Sequence, residues 1–164
     1  SLVGSEMCIR DSSDTISLAA LTEEVFCDLD PVADKHQIRL IQTEGDCTVT
    51  GSYILLYRAV YNLVENAIKY NRPSGSVTVS IHSAESAVLE VTDTGIGISP
   101  ENQEKIFDPF YRVDKSRSRA MGGAGLGLAL VSEIARQHNG QVKVTQSSEK
   151  GSTIALILPE STDY

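Results

Sequence analysis

Positive charge is scarce in this chain. Fourteen lysines and arginines stand against 22 aspartates and glutamates over 164 residues, a formal net charge of −8. That balance argues against non-specific nucleic-acid binding, which needs a basic footprint. A protein so composed that binds a polyanion must gather its cations locally, and Arg112, Lys115, Arg117 and Arg119 do so with only Asp114 among them. Cysteine is equally sparse. Cys8, Cys27 and Cys47 form an odd set without metal-ligand spacing, so reduced thiols in a reducing compartment are expected. No apolar run approaches the roughly 18 residues that cross a bilayer, so any membrane anchor of a parent protein is expected outside this sequence. There is no Gly-Lys-Ser/Thr phosphate loop and no nucleophile elbow. His36, His82 and His138 lack carboxylates or cysteines at ligand spacing, and His138, near a helix end, reads as a partner for the helix dipole. What is present is ordinary for one globular domain with a real core, 41% hydrophobic and 22% charged.

Residues 1 to about 13 carry neither period nor turn logic, and residues 1–14 read as a non-native or disordered leader to a domain spanning 15–160, with 161–164 as a tail. From Thr15, Ile16, Ala19, Ala20, Val25, Leu29 and Val32 recur at helical spacing, with a capped restart expected near Thr22. Ile38–Ile41 and Cys47–Thr50 alternate as strands about a Glu44-Gly45-Asp46 turn. Ser52 is a candidate N-cap for a helix to about Tyr70 whose buried stripe is Leu56, Val60, Leu63, Val64 and Ala67. Two strands follow, through Val77, Val79 and Ile81 and through Ala87, Leu89 and Val91. Residues 94–122 form a long loop, which inside a compact domain is usually functional. A helix over about Gly125–Gln137 and two strands, Val142–Thr145 and Thr153–Leu158, complete the chain. This order predicts an α+β fold: a two-layer sandwich whose mixed, mostly antiparallel sheet is covered on one face by three helices.

Four segments carry chemistry. On the second predicted helix Asn62, Glu65, Asn66 and Lys69 share the face opposite the apolar stripe. A solvated polar face is the simplest account of such a pattern, but two asparagines are poor helix formers there. An Asn amide oxygen suits Mg²⁺ that keeps most of its waters and bridges phosphates. Lys69 can reach a phosphate, and Tyr70 can stack on a base. Asp93 ends an apolar strand and precedes Gly95, Gly97 and Ile98. A carboxylate there can accept the exocyclic amine of adenine, whereas guanine presents an oxygen, and the glycines let backbone approach the ring. Phe107 to Arg112 form the third segment. The fourth, Gly123, Gly125, Leu126, Gly127 and Leu128, opens a helix whose free N–H groups suit phosphate oxygens. It follows a polar loop rather than a strand, which rules out a dinucleotide-binding βαβ unit. Its glycines can also hinge the 112–122 loop as a lid over ATP, and a flexible surface loop is the alternative.

In this order the segments resemble the catalytic and ATP-binding domain of bacterial sensor histidine kinases, a Bergerat-type fold shared with gyrase, mismatch-repair ATPases and the heat-shock-ninety chaperones. The resemblance covers roughly residues 15–160, with the N box at Asn62–Tyr70, G1 at Asp93–Gly97, F at Phe107–Phe110 and G2 at Gly123–Leu128. It implies that Asn66 holds Mg²⁺, Asn62 sits beside the phosphates and metal, Lys69 and Lys115 contact phosphate, Tyr70 flanks adenine and Asp93 reads its amine. It further implies that Arg112 touches the γ-phosphate during transfer and that Gly151-Ser152-Thr153 supplies a last motif, with Thr153 at the nucleotide. The implied partners are ATP, a separate dimerisation and histidine-phosphotransfer domain, and a response-regulator receiver domain, with no nucleic acid and no membrane contact by this domain. The implied setting is the cytoplasm.

Hydrolysing relatives resemble one another in carrying Glu where this chain has Asn62. Glu can activate water as a general base and Asn cannot. Ala124 stands where Thr or Ser is usual, and Ser52 where Asp is common. No phosphoacceptor motif of the His-Glu-x-x-Thr/Ser-Pro type occurs, so the acceptor histidine is expected on another domain. An ATPase and a degenerate docking module remain as rival readings.

Overall fold

The computed structural model describes residues 14–103, 105–108 and 126–161. Among the described residues, seven strands and three α-helices follow in the order β1 (Asp14–Ser17), α1 (Leu18–Lys35), β2 (Arg39–Gln42), β3 (Thr48–Gly51), α2 (Tyr53–Lys69), β4 (Ser76–Ser83), β5 (Ala87–Asp93), α3 (Leu126–Gln137), β6 (Gln141–Ser148) and β7 (Gly151–Leu158). Two short 3₁₀ turns, Pro100–Asn102 and Lys105–Phe107, lie between β5 and α3.

The main sheet has the order β2-β4-β5-β7-β6. Its pairings are antiparallel except that of β2 with β4, which is parallel. Along β4, Val77, Val79 and Ile81 are buried while the residues between them are partly exposed, the period-two signature of a sheet with one covered face. Leu89 and Val91 of β5 and Ile154, Leu156 and Leu158 of β7 extend that buried face. The three helices cover it: α2 presents Leu56, Val60, Leu63, Val64 and Ala67, and α3 presents Leu128, Val131, Ile134 and Ala135. The α+β sandwich of the sequence reading is the fold observed.

Three local features differ from the sequence reading. Asp14–Ser17 is a strand, paired antiparallel with β3 in a two-stranded sheet, so the first helix starts at Leu18 rather than near Thr15. The reason lies in the caps. The Ser17 hydroxyl accepts from Ala20 N–H at 3.1 Å and donates to Asp46 Oδ2 at 2.8 Å, while Asp46 Oδ1 accepts from Ala19 N–H at 2.9 Å. Two helix-start donors are thereby satisfied at that point. Second, Thr22 marks no restart, because its buried hydroxyl donates to Leu18 O at 2.8 Å within one continuous helix. Third, β2 and β3 do not form a hairpin about the Glu44–Asp46 turn, since each pairs with a more distant strand. At the domain edges Asp14 belongs to β1, and Ser161 N–H donates to Thr48 O at 2.7 Å.

The second helix is capped as read: the Ser52 hydroxyl accepts from Leu55 N–H at 3.3 Å. His138 does more than sit near a helix end. Its Nδ1 lies 2.8 Å from Ile134 O and its Nε2 accepts Ser52 N–H at 3.1 Å, so the end of α3 is pinned to the start of α2. With Nε2 accepting, the ring proton belongs on Nδ1.

Candidate nucleotide site

Side-chain alternation decides what lines the site. Asp93 lies two residues beyond buried Val91 on β5, and Ser152 two residues before buried Ile154 on β7, and the two are register partners. Both therefore point to the helix-covered side of the sheet, at the end where α2 terminates. Asp93 Oδ1 accepts Gly95 N–H at 2.8 Å and Ser152 N–H at 3.3 Å, and Oδ2 accepts the Ser152 hydroxyl at 3.0 Å. A carboxylate offers about four acceptor positions. Three are used within the protein, which leaves Oδ2 able to take one more donor. Burial pushes the Asp93 carboxyl above the ordinary aspartate range, opposed by the bonds from Gly95 and Ser152.

Glycine is required at two positions here. A Cβ on Gly95 would stand 2.4 Å from Tyr70 O and 3.1 Å from the Asp93 carboxylate, so only glycine lets the loop after β5 pass against the end of α2. Gly97 has φ +79°, and a Cβ there would meet Ser148 O at 2.0 Å. Directly after Gly97, Ile98 is half-buried, its N–H donating to Ser147 Oγ at 2.6 Å.

The end of α2 is tied to the same loop by a small network. Asn71 Oδ1 accepts from Thr94 Oγ1 at 2.9 Å, Asn71 Nδ2 donates to Ser76 O at 2.9 Å, and Thr94 Oγ1 accepts Ser76 N–H at 3.0 Å. This holds Tyr70, the residue after α2, beside the Asp93 turn. On α2 itself Asn62, Asn66 and Lys69 are half-buried on one face, and Lys69 Nζ lies 3.8 Å from Glu65 Oε2. Asn62 Nδ2 donates to Gly127 O at 3.3 Å, joining α2 to the first turn of α3. Gly127 is exposed and Leu128 buried, while Leu126 opens the helix.

The structure thus gathers Asn62, Asn66, Lys69, Tyr70, Asp93, Gly95, Gly97 and Ile98 with the start of α3. Thr153 is a correction. Its hydroxyl lies 2.9 Å from that of Thr92, one register pair beyond Asp93–Ser152 and hence on the opposite face of the sheet. Ser152 stands at the carboxylate instead, as alternation from Ile154, Leu156 and Leu158 could have shown. Thr94 and Asn71 were likewise missed, since a Thr inside a glycine turn carries no periodic signal. Arg112, Lys115, Gly123 and Gly125 lie outside the described residues. Among the described residues, no three His, Cys, Asp or Glu gather as a metal site, and no helix is long and apolar enough to cross a membrane.

A family model described as histidine kinase-, DNA gyrase B-, and HSP90-like ATPase matches residues 51–162, and the chain belongs to that family. The sensor-like histidine kinase SenX3 of Mycolicibacterium smegmatis is 39% identical over 153 residues, covering 92% of this chain and 40% of the relative. The sensor histidine kinase RppB of Synechocystis is 44% identical over 140 residues, covering 85% of this chain and 30% of the relative. The chain therefore spans less than half the length of these curated relatives. Among solved structures, the mycobacterial sensor histidine kinase MprB is similar with a TM-score of 0.75 and 30% identity, over 90% of this chain and 97% of that one. Full-length ShkA in complex with AMPPNP is similar with a TM-score of 0.81 and 25% identity, over 93% of this chain and 32% of that one.

Proposed function

We propose that this chain is the ATP-binding catalytic domain of a sensor histidine kinase, passing the γ-phosphoryl of ATP to a histidine on a separate dimerisation domain, from which a response regulator receives it. The observation that carries the nucleotide reading is Asp93, held by Gly95 and Ser152 with one acceptor position left on Oδ2. That position suits an exocyclic amine and repels a carbonyl, which selects adenine over guanine. Tyr70 and the Gly95–Ile98 backbone are the groups beside it for the ring. The start of α3 and Lys69 serve the phosphates. Mg²⁺ fits the donor set: Asn66 supplies a neutral amide oxygen and, among the described residues, no carboxylate cage surrounds it, as suits an ion held mainly through phosphates and water. When bound, that ion neutralises phosphate charge.

The remaining chemistry is positioning. A lone pair on the acceptor imidazole attacks the γ-phosphorus, the bond to the β,γ-bridging oxygen breaks with its electrons on ADP, and phosphohistidine forms. Arg112 and Lys115 are proposed at the γ-phosphate. Asn62, bonded to Gly127 O, has no basic group with which to activate water. The proposed setting is the cytoplasm, the parent being anchored through other segments.

The test uses radiolabelled ATP and Mg²⁺. The chain alone is expected to release almost no phosphate over an hour and to label an added histidine-bearing dimerisation domain. Steady multiple-turnover hydrolysis without acceptor would make the chain an ATPase instead.

A further inference from the structure

β5 pairs with β4 on one side and with β7 on the other, and both ladders stop at Asp93. One residue later a side chain takes over from the backbone. Thr94 Oγ1 accepts Ser76 N–H at 3.0 Å and donates to Asn71 Oδ1 at 2.9 Å. The Asn71 amide closes the ring. Its Nδ2 donates to Ser76 O at 2.9 Å, and its Oδ1 also accepts Arg72 N–H at 2.7 Å. The end of α2, the start of β4 and the turn after β5 thereby meet in one closed set of bonds. Asparagine suits the central place because it carries a donor and an acceptor on one short stem. Gly75 leaves the room: a Cβ there would stand 2.4 Å from Thr94 Oγ1 and 2.5 Å from Asn71 Oδ1.

None of these bonds involves Asp93, yet the ring governs where its carboxylate stands. Asp93 Oδ1 accepts Gly95 N–H at 2.8 Å, and that N–H belongs to the peptide joining Thr94 to Gly95. Gly95 is buried, its backbone seated against Tyr70 and Asn71. With both ladders ended, the Thr94 hydroxyl is the tether of that peptide. The single hydroxyl proton is committed to Asn71, so Thr94 acts through the turn rather than on a ligand. Position matters here because a group that recognises a ligand must be held within about 0.5 Å of its productive place.

We propose that Thr94 and Asn71 are positioning residues for base selection: their ring fixes the Thr94–Gly95 peptide and, through it, sets the Asp93 carboxylate to meet the exocyclic amine of adenine. The inference rests on the adenine reading of Asp93, and its test separates the two. Thr94→Val keeps the side-chain shape and removes both bonds, Thr94→Ser keeps the hydroxyl, and Asn71→Ala opens the ring from the other side. Each variant and the parent chain are titrated calorimetrically, with Mg²⁺, against ATP and against purine riboside triphosphate, which lacks the exocyclic amine. The parent chain is expected to prefer ATP by at least about tenfold. Thr94→Val and Asn71→Ala are expected to lower that ratio by at least about threefold, through weaker ATP binding, while Thr94→Ser keeps it. A fraction of unfolded chain lowers both affinities by one factor and leaves their ratio unchanged. A purely stabilising role therefore predicts the parent ratio in every variant. The parent ratio in Thr94→Val or Asn71→Ala, or a lowered ratio in Thr94→Ser, would overturn the inference alone. Equal binding of the two nucleotides by the parent chain would strike the adenine reading, and this inference with it.

Discussion

The proposed contact with an adenine amine needs Asp93 ionised, yet its burial favours the protonated form. The sign of the pH effect follows. Because the folded carboxyl holds its proton to higher pH than an unfolded aspartate, its contribution to stability is largest below the unfolded pKa and is lost as pH rises through the raised folded value. Nucleotide binding runs the other way. Affinity is expected to fall on acidification at a pH above the ordinary aspartate range, measurable by titrating AMPPNP between pH 4 and pH 8. Ser152→Ala removes one bond to the carboxylate. It is expected to weaken AMPPNP binding by roughly fivefold, the equivalent of about 1 kcal/mol, and to move the acid limb upward. An unmoved limb would show that the Ser152 hydroxyl does not tune Asp93. The position of Asp93 was legible because an acid ends an apolar strand and two glycines turn the chain directly after it. Ser152 was not, because two adjacent small hydroxyl residues hide which one faces the Asp93 carboxylate. Only counting back by twos from Ile154 separates it from Thr153.

Among the elements, α2 was the most legible, since seventeen residues give the apolar stripe nearly five turns in which to declare itself. Its stripe and its Ser52 cap are both as read. Leu63→Ala, at a position 1% exposed, is expected to cost about 2–5 kcal/mol in denaturant unfolding. Ser52→Ala is expected to cost about 1 kcal/mol. A cost for Leu63→Ala below that of Ser52→Ala would mean that α2 is not seated on the core as described. The four-residue strands were the least legible. β1, β2 and β3 carry too few residues for a period, and their pairing is set by contacts far along the chain: Thr15 with Thr50, and Arg39 with Ser76. Ile16 fell in step with the helical pattern that follows it. What ends the strand is the pair of bonds from Ser17 and Asp46 to the helix start, and Asp46 is 29 residues away from Ser17. No window of local sequence contains both.

For the whole molecule, sheet and helices place two chemistries along one face of α2: an acid at the end of β5, proposed to meet a base, and amides leading to the start of α3, proposed to meet phosphates. The helix is the ruler between them, tied at its C-terminal end by the Asn71–Thr94 network and near its middle by the Asn62–Gly127 bond. The central claim is that this face binds an adenine nucleotide through Asp93. The measurement that tests it most directly is calorimetric titration of AMPPNP with Mg²⁺ into this chain and into Asp93→Asn. The expected result is binding by the parent chain with a dissociation constant on the order of micromolar, about −8 kcal/mol, weakened at least about tenfold in Asp93→Asn while both proteins unfold cooperatively. Equal binding by the two proteins, or none by the parent, would contradict it.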